Sequence, residues 1–186
     1  MKTLIVGAGV IGSIYGWALS RGGYDVTHFV RPGRSPQFTK GIPIDILDSR
    51  KGYEKQYMGH YDLKVTEALS SSAGFEFVII PTKPYQVEDA LRQIIPYTEE
   101  ANYLLLTQNW NGTAAIDSLL PQSRYVYGDA KAGGSFQNAT LISAIFPTID
   151  LGQANGRKDN SLTQTTTAPV SYTHLTLPTT KALCGC

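Results

Sequence analysis

The glycine-rich segment Gly7-Ala-Gly9-Val-Ile-Gly12 constrains the fold of this chain more than any other feature. It follows a short apolar, β-branched run and precedes apolar residues at helical spacing, which predicts a strand, a tight turn and a helix. In this arrangement the first glycine permits the turn, the second lets the main chain approach a phosphate, and the third lets the helix pack closely on the strand. The N-terminus of the helix then faces the phosphate charge.

We therefore predict that this loop binds the pyrophosphate of a dinucleotide. The alternative is a glycine-rich turn that holds no ligand. The predicted cofactor contacts of the loop are Gly7, Ala8, Gly9, Val10, Ile11 and Gly12.

Predicted strands and helices alternate through the next hundred residues. The first helix ends at Gly22 and Gly23, a second strand covers about 25–30, and a polar loop rich in proline and glycine covers 31–43. Further strands are predicted at 75–80, 102–107 and 124–129, with a helix beginning near Pro84 and another at 112–120. This alternation predicts a Rossmann-type α/β fold, a doubly wound and mostly parallel sheet.

The pattern changes after Asp129. Apolar stretches there indicate two strands joined by turns, with no helix between them. We expect them to form an antiparallel extension at the edge of the sheet.

Composition sets limits on the class of protein. A chain of 186 residues that is 42% hydrophobic with net charge +1 indicates one soluble domain and gives no basic surplus for nucleic acid. Both cysteines, Cys184 and Cys186, stand at the C-terminus, which fits a cytoplasmic location and leaves no cysteine metal site in the body. The apolar N-terminus resembles a signal peptide, but its three glycines disfavour that alternative, and the run is short for a membrane span.

The end of the second predicted strand carries arginines where an acid is common. Arg31 stands 19 residues after Gly12, about where a carboxylate would bind the ribose 2′-hydroxyl of the adenosine. A guanidinium pairs instead with a 2′-phosphate, so Arg31, helped by Arg34, predicts a preference for NADPH. Two solvated loop arginines are the alternative.

The sequence predicts neither a catalytic histidine nor a metal ligand for this site. His28 lies inside a predicted strand and His60 in a loop without a partner pattern, so neither is predicted to act as an acid. The sequence shows no Ser-His-Asp order and no metal-ligand spacing.

Four stretches of the first 165 or so residues together resemble the N-terminal domain of the ketopantoate reductase (2-dehydropantoate 2-reductase) family. They are LIVGAGVIGSIYG at 4–16, VRPGR at 30–34, VIIPTKPYQVEDAL at 78–91 and LLLTQNWNGT at 104–113. The Thr-Lys-x-x-Gln after a strand and the Gln-Asn before a helix are more specific than the glycine loop.

The resemblance implies NADPH-dependent reduction of a 2-keto acid, ketopantoate to pantoate, in pantothenate biosynthesis. Lys83 matches the family's lysine that contacts the cofactor, and Asn109 matches its asparagine near the nicotinamide ribose and the substrate; we assign both to the catalytic and cofactor sites. Gln86 lies one helical turn from Lys83 and is a further cofactor contact. A solvated lysine and a helix-capping asparagine are the alternatives, and Asn111 competes with Asn109 for the cleft.

The chain departs from the family pattern in two respects. First, individual residues differ: Trp110 stands where the family usually has glycine, Pro84 follows the lysine, and the segment GDAKAGGS at 128–135 is unusual. Another 2-keto acid is therefore an alternative substrate. The family continues into a helical C-terminal domain that supplies the proton-donating lysine, substrate contacts and the dimer surface. We expect this sequence to lack that domain.

We expect a cofactor-binding domain at 1–166 and a tail at 167–186. Within the tail, SYTHLTLPT at 171–179 resembles a translated library-adaptor fragment, and a genuine threonine-rich disordered tail is the alternative. A chain without the helical domain should bind NADPH and turn over little, whereas the whole protein is expected to be a homodimer. A β-hydroxyacid dehydrogenase and a non-catalytic NADPH-sensing module are the remaining functional alternatives.

Overall fold

The computed structural model describes residues 1–50, 53–107 and 112–152. The described strands are β1 (Lys2–Val6), β2 (Asp25–Phe29), β3 (Ile42–Asp48), β4 (Lys55–Tyr61), β5 (Lys64–Thr66), β6 (Phe77–Ile80), β7 (Asn102–Leu105), β8 (Tyr125–Asp129), β9 (Ala132–Gln137), β10 (Thr140–Ile145) and β11 (Asp150–Gly152). The α-helices are α1 (Val10–Arg21), α2 (Pro84–Ile94) and α3 (Ala114–Asp117).

Seven strands form the main sheet in the order β11-β8-β7-β6-β1-β2-β5. Every neighbouring pair in it is parallel except β8 with β11, which is antiparallel. The predicted doubly wound, mostly parallel sheet with an antiparallel edge is therefore confirmed. The chain runs outward from β1 through β2 to β5 and then crosses to β6, so the order reverses between β1 and β6.

A second sheet of four strands, in the order β4-β3-β10-β9, lies apart from the main sheet. The hairpin of β9 and β10 is antiparallel, as expected after Asp129, but β10 pairs with β3 in parallel and not with the main sheet. The alternating Ile42, Ile44 and Ile46 of β3 give the physical reason, because this apolar face is buried together with Leu141 of β10. Only β11 extends the main sheet.

Helix α1 lies between the two sheets. Its residues Tyr15 and Leu19 pack against the main sheet, whereas Ile14 and Trp17 pack against the second sheet. All residues from 12 to 19 are buried, because both sides of the helix face a sheet. The glycine loop is therefore fixed at the start of a helix whose central residues are buried.

Helix α2 covers the other face of the main sheet with its apolar side chains. Val87, Ala90, Leu91 and Ile94 are buried in one cluster with residues of β1 and β6, and Pro84 is in the first turn. Ile95 starts a 3-10 turn at Ile95–Tyr97.

The helix predicted at 112–120 is much shorter, since α3 contains only four residues. The Asp117 carboxylate at its end accepts hydrogen bonds from the Tyr125 hydroxyl at 2.6 Å and the Thr113 hydroxyl at 2.7 Å. Within the described residues, no helix is long and apolar enough to cross a membrane. The predicted boundary at 166 and the tail lie outside the described residues.

Candidate functional site

The carboxyl ends of β6, β1 and β2 lie side by side at the point where the strand order reverses. Open α/β sheets bind ligands in the crevice outside the strand ends at such a point. The glycine loop follows β1, Arg31 and Arg34 follow β2, and Lys83 follows β6. The fold therefore brings these three predicted segments to one edge, with the glycine loop in the middle.

The three glycines of the loop differ in their surroundings. Gly7 has φ +93°, which favours glycine, and its N–H donates to the Phe29 carbonyl at 2.7 Å. A Cβ on Gly12 would lie 3.0 Å from the Gly7 carbonyl oxygen and 3.2 Å from Pro81 Cγ, whereas a Cβ on Gly9 would meet nothing within 4 Å. Gly7 and Gly12 thus serve the turn and the packing, and Gly9 borders open space where a ligand can approach.

The N-terminus of α1 fits an anion. Gly9 is the N-cap in extended conformation, no side chain forms a capping hydrogen bond there, and the first turn holds no acidic residue. Val10 and Ile11 begin the helix, and Ala8 completes the loop. The N–H groups of the first turn have no partner within a helix, so a phosphate at this end would satisfy them.

The buried side chain of His28 is hydrogen-bonded to the glycine loop, a role that the sequence did not reveal. Its side chain is 0% exposed, Nδ1 donates to the Gly7 carbonyl at 2.8 Å, and Nε2 accepts from the Tyr61 hydroxyl at 3.0 Å. Burial lowers the pKa of His28 to about 4, so the imidazole is neutral at pH 7. The neutral ring therefore acts as a hydrogen-bond donor to the loop.

Arg31 and Arg34 are exposed on a turn beyond β2, where the N–H of Arg34 donates to the Arg31 carbonyl at 3.1 Å. The structure adds Glu67, which follows the neighbouring strand β5. Its carboxylate accepts hydrogen bonds from the Gly33 N–H, the Ser35 N–H and the Ser35 hydroxyl. These hydrogen bonds lower the pKa of Glu67 to about 2. No local sequence signal links Glu67 to this turn, because its contacts with Gly33 and Ser35 depend on β5 pairing with β2.

Lys83 and Gln86 lie at the opposite side of the glycine loop. Lys83 is exposed in extended conformation at the N-cap of α2, and Gln86 is exposed in the first turn with its N–H on the Lys83 carbonyl at 2.9 Å. Pro84 fits the helix start without disturbing this position. Both side chains are available to a ligand at the end of β6.

Two buried hydroxyls at the same edge have no hydrogen-bond partner among the residues that the structure describes. They belong to Thr82, just beyond β6, and Thr107, just beyond the neighbouring strand β7. Such groups are usually satisfied by water or a ligand. Asn109, Trp110 and Asn111 follow Thr107 but lie outside the described residues.

Within the described ranges, no group of three acidic, histidine or cysteine side chains is placed to hold a metal ion. The polar groups at the crevice are instead main-chain N–H groups, hydroxyls, a lysine and two arginines. This donor set suits an anionic organic ligand.

Comparison with known proteins agrees with this geometry. A solved 2-dehydropantoate 2-reductase from Geobacter metallireducens GS-15 matches with a TM-score of 0.70 and 19% identity over 91% of this chain and 55% of that chain. A ternary structure of D-mandelate dehydrogenase with NADH and anilino(oxo)acetate matches with a TM-score of 0.66 and 19% identity over 91% of this chain and 53% of that one. At these identities the likeness shows the fold.

Sequence comparison identifies the family. A curated 2-dehydropantoate 2-reductase from Aquifex aeolicus (strain VF5) is 29% identical over 134 residues, which are 70% of this chain and 37% of that protein. The chain thus spans well under half the length of this relative. The family model described as ketopantoate reductase PanE/ApbA matches residues 3–138. The chain therefore belongs to the ketopantoate reductase PanE/ApbA family.

Proposed function

We propose that this chain is the cofactor-binding part of an NADPH-dependent reductase that converts a 2-keto acid into a 2-hydroxy acid. The observation that carries the proposal is the arrangement of three loops at one sheet edge. Gly9 borders open space at a helix N-terminus, with the exposed Lys83 on one side and the exposed Arg31 and Arg34 on the other.

The groups at this edge of the sheet would each contact a different part of the dinucleotide. When bound, the dinucleotide supplies the hydride, and the chain's own residues hold and orient it. The N–H groups at the start of α1 receive the pyrophosphate, and Lys83 and Gln86 bind the cofactor beyond β6. Asn109 is assigned to the nicotinamide ribose and substrate by its place in the family pattern. The buried hydroxyls of Thr82 and Thr107 are further hydrogen-bonding groups at this edge.

The cofactor preference rests on the arginines. Neither Arg31 nor Arg34 forms an ion pair with any residue that the structure describes, so their charges are available to an external anion. A guanidinium binds a phosphate through short, charge-assisted hydrogen bonds, whereas NADH offers only a hydroxyl at the 2′ position. We therefore propose NADPH as the preferred cofactor.

The proposed substrate is 2-dehydropantoate, with a role in pantothenate biosynthesis. The family and the Aquifex aeolicus relative support it. The fold shared with D-mandelate dehydrogenase, which was solved with anilino(oxo)acetate, makes another 2-keto acid the second candidate. A panel of 2-keto acids tested on the whole protein distinguishes the two, and failure to reduce any of them would favour an NADPH-sensing module.

We further propose that the whole protein is a cytoplasmic homodimer and that the 186-residue chain binds NADPH but turns over little. The resemblance assigns the proton-donating lysine to the family's helical C-terminal domain, and this chain spans 37% of the length of the Aquifex aeolicus relative. Ketopantoate-dependent oxidation of NADPH by the chain at the rate of an intact reductase would contradict this expectation.

A fluorescence titration of the chain with NADPH and NADH tests the cofactor assignment. We expect tighter binding of NADPH, and a loss of about tenfold or more in NADPH affinity for Arg31→Ala, because a hydrogen bond to a charged group contributes about 1.5–3 kcal/mol. Arg92→Ala is the matched control, since Arg92 forms only an exposed pair with Glu88 on α2. Equal affinities for both nucleotides in the wild type would refute the preference for NADPH.

A further inference from the structure

We propose that Glu67 is a positioning residue that determines the selectivity for NADPH by fixing the turn that carries Arg31 and Arg34. This inference rests on the proposed function, because it assumes that the two arginines meet the 2′-phosphate. Glu67 itself is not assigned a contact with the nucleotide.

The strand pairing brings Glu67 to the turn. β5 pairs with β2 in parallel, with Thr66 opposite Phe29, and the Val30 N–H donates to the Thr66 carbonyl at 2.9 Å. Glu67 is the next residue after β5, so its main chain is anchored at the same edge as the end of β2. The side chain then extends to the turn beyond Val30.

Both carboxylate oxygens of Glu67 are used by this turn. Oε1 accepts from the Ser35 N–H at 2.7 Å and from the Ser35 hydroxyl at 2.6 Å, and Oε2 accepts from the Gly33 N–H at 2.9 Å. Gly33 has φ +78°, a conformation that favours glycine. The carboxylate therefore holds main-chain groups on both sides of Arg34, and the depressed pKa of Glu67 agrees with these contacts.

The same arrangement leaves the arginine side chains unneutralised. Glu67 is bonded to N–H groups and a hydroxyl, and the ion pairs found among the described residues include neither Arg31 nor Arg34. A turn that is ordered before binding loses less conformational entropy when it binds an anion. Glu67 thus stabilises the turn while the two positive charges remain available.

Glu67→Gln tests this role with little change in shape. Gly33 and Ser35 donate to different oxygens of Glu67, and glutamine replaces one of these oxygens with an NH2 donor, so in the same position it loses the contact with one of the two residues. We expect the affinity for NADPH to fall about tenfold and the affinity for NADH to stay unchanged. The ratio of the two affinities should therefore fall about tenfold. Ser35→Ala removes only the hydroxyl contact and should give a smaller loss. Glu88→Gln, in an exposed pair with Arg92, is the matched control.

The experiment is a titration of the full chain and these variants with NADPH and NADH, together with the rate of tryptic cleavage after Arg34. Faster cleavage of Glu67→Gln with a selective loss of NADPH affinity supports the inference. Unchanged or tighter NADPH binding by Glu67→Gln overturns it while the cofactor assignment stands. A parallel loss for both nucleotides also overturns it, since it indicates a purely structural role. A wild type without preference overturns both proposals.

Discussion

The imidazole of His28 is hydrogen-bonded to the main-chain carbonyl of Gly7, with Nδ1 2.8 Å from the oxygen. A carbonyl only accepts, so Nδ1 carries the proton and Nε2 accepts from the Tyr61 hydroxyl at 3.0 Å. The histidine thereby connects the first glycine of the glycine loop to β4 of the second sheet. A buried side chain thus joins the two sheets directly beneath the candidate phosphate site.

Protonation of His28 should destabilise the fold in mild acid. Burial lowers its pKa from 6.5 to about 4, so between these values the unfolded chain binds a proton that the folded chain does not. The free energy of unfolding should therefore fall by about 2 kcal/mol as the pH drops from about 6.5 to 4.5. Urea denaturation at a series of pH values measures this change.

His28→Gln is the control for this prediction, because glutamine can keep a hydrogen bond to Gly7 but does not titrate. Its unfolding free energy should change much less over the same pH range. Carboxylates with lowered pKa values, such as Glu67 and Asp117, add acid sensitivity only below about 4.5. Identical pH dependence in the wild type and His28→Gln would contradict the assignment to His28.

Gly16 should tolerate no side chain because His28 and Tyr61 occupy the space beside it. A Cβ on Gly16 would lie 2.7 Å from the Tyr61 hydroxyl oxygen and 2.8 Å from Cε1 of His28. We expect Gly16→Ala to lower the free energy of unfolding by about 1–3 kcal/mol, since overpacking a buried site costs more than alanine gains in helix propensity. Chemical denaturation measures the loss.

A double-mutant cycle tests the physical cause. If the clash with the imidazole is responsible, Gly16→Ala should cost clearly less in a His28→Ala background than in the wild type. Additive effects of the two substitutions would show that the cost arises elsewhere.

The sequence predicted the main sheet well because its signals are local. The glycine loop, the amphipathic pattern of α2 and the buried strand β6 each depend on neighbours within one turn or strand. The second sheet was missed, although Ile42, Ile44 and Ile46 alternate clearly in β3. Alternation predicts a half-buried strand but does not identify its partners, and one of the two partners of β3, the strand β10, lies about a hundred residues further along the chain.

For the candidate site, too, some residues could be predicted from the sequence and others could not. Gly9, Arg31 and Lys83 follow predicted strands, and parallel pairing brings their positions to one edge, so the sequence sufficed to place them. Glu67 and the His28–Tyr61 pair depend on contacts made by β4 and β5, which the sequence pattern did not assign. Long-range strand pairing therefore accounts for both omissions.

Lys83 should contribute to nucleotide binding and not to folding. Its side chain is exposed at the carboxyl edge of the main sheet. We expect Lys83→Gln to weaken NADPH binding about tenfold while the unfolding free energy stays within about 0.5 kcal/mol of the wild type. Lys64→Gln is the control, because Lys64 pairs with Asp25 in an exposed ion pair at the opposite edge of the sheet. If Lys83→Gln and Lys64→Gln bind nucleotide with equal affinity, Lys83 does not contribute to nucleotide binding.

Gly9 and Gly12 should separate binding from stability. Gly9 has φ −78° and ψ −175°, which any residue adopts, and its Cβ position is open, so Gly9→Ala should leave the unfolding free energy within about 0.5 kcal/mol. The added methyl group would occupy the space through which a pyrophosphate approaches, and we expect nucleotide affinity to fall about tenfold or more. Gly12→Ala should instead lower stability by about 1–3 kcal/mol, since its Cβ would press on Gly7 and Pro81. Denaturation and fluorescence titration of the two variants measure both quantities. Wild-type nucleotide affinity in Gly9→Ala would mean that the loop is a turn without a ligand, because its methyl group enters only the space assigned to the phosphates.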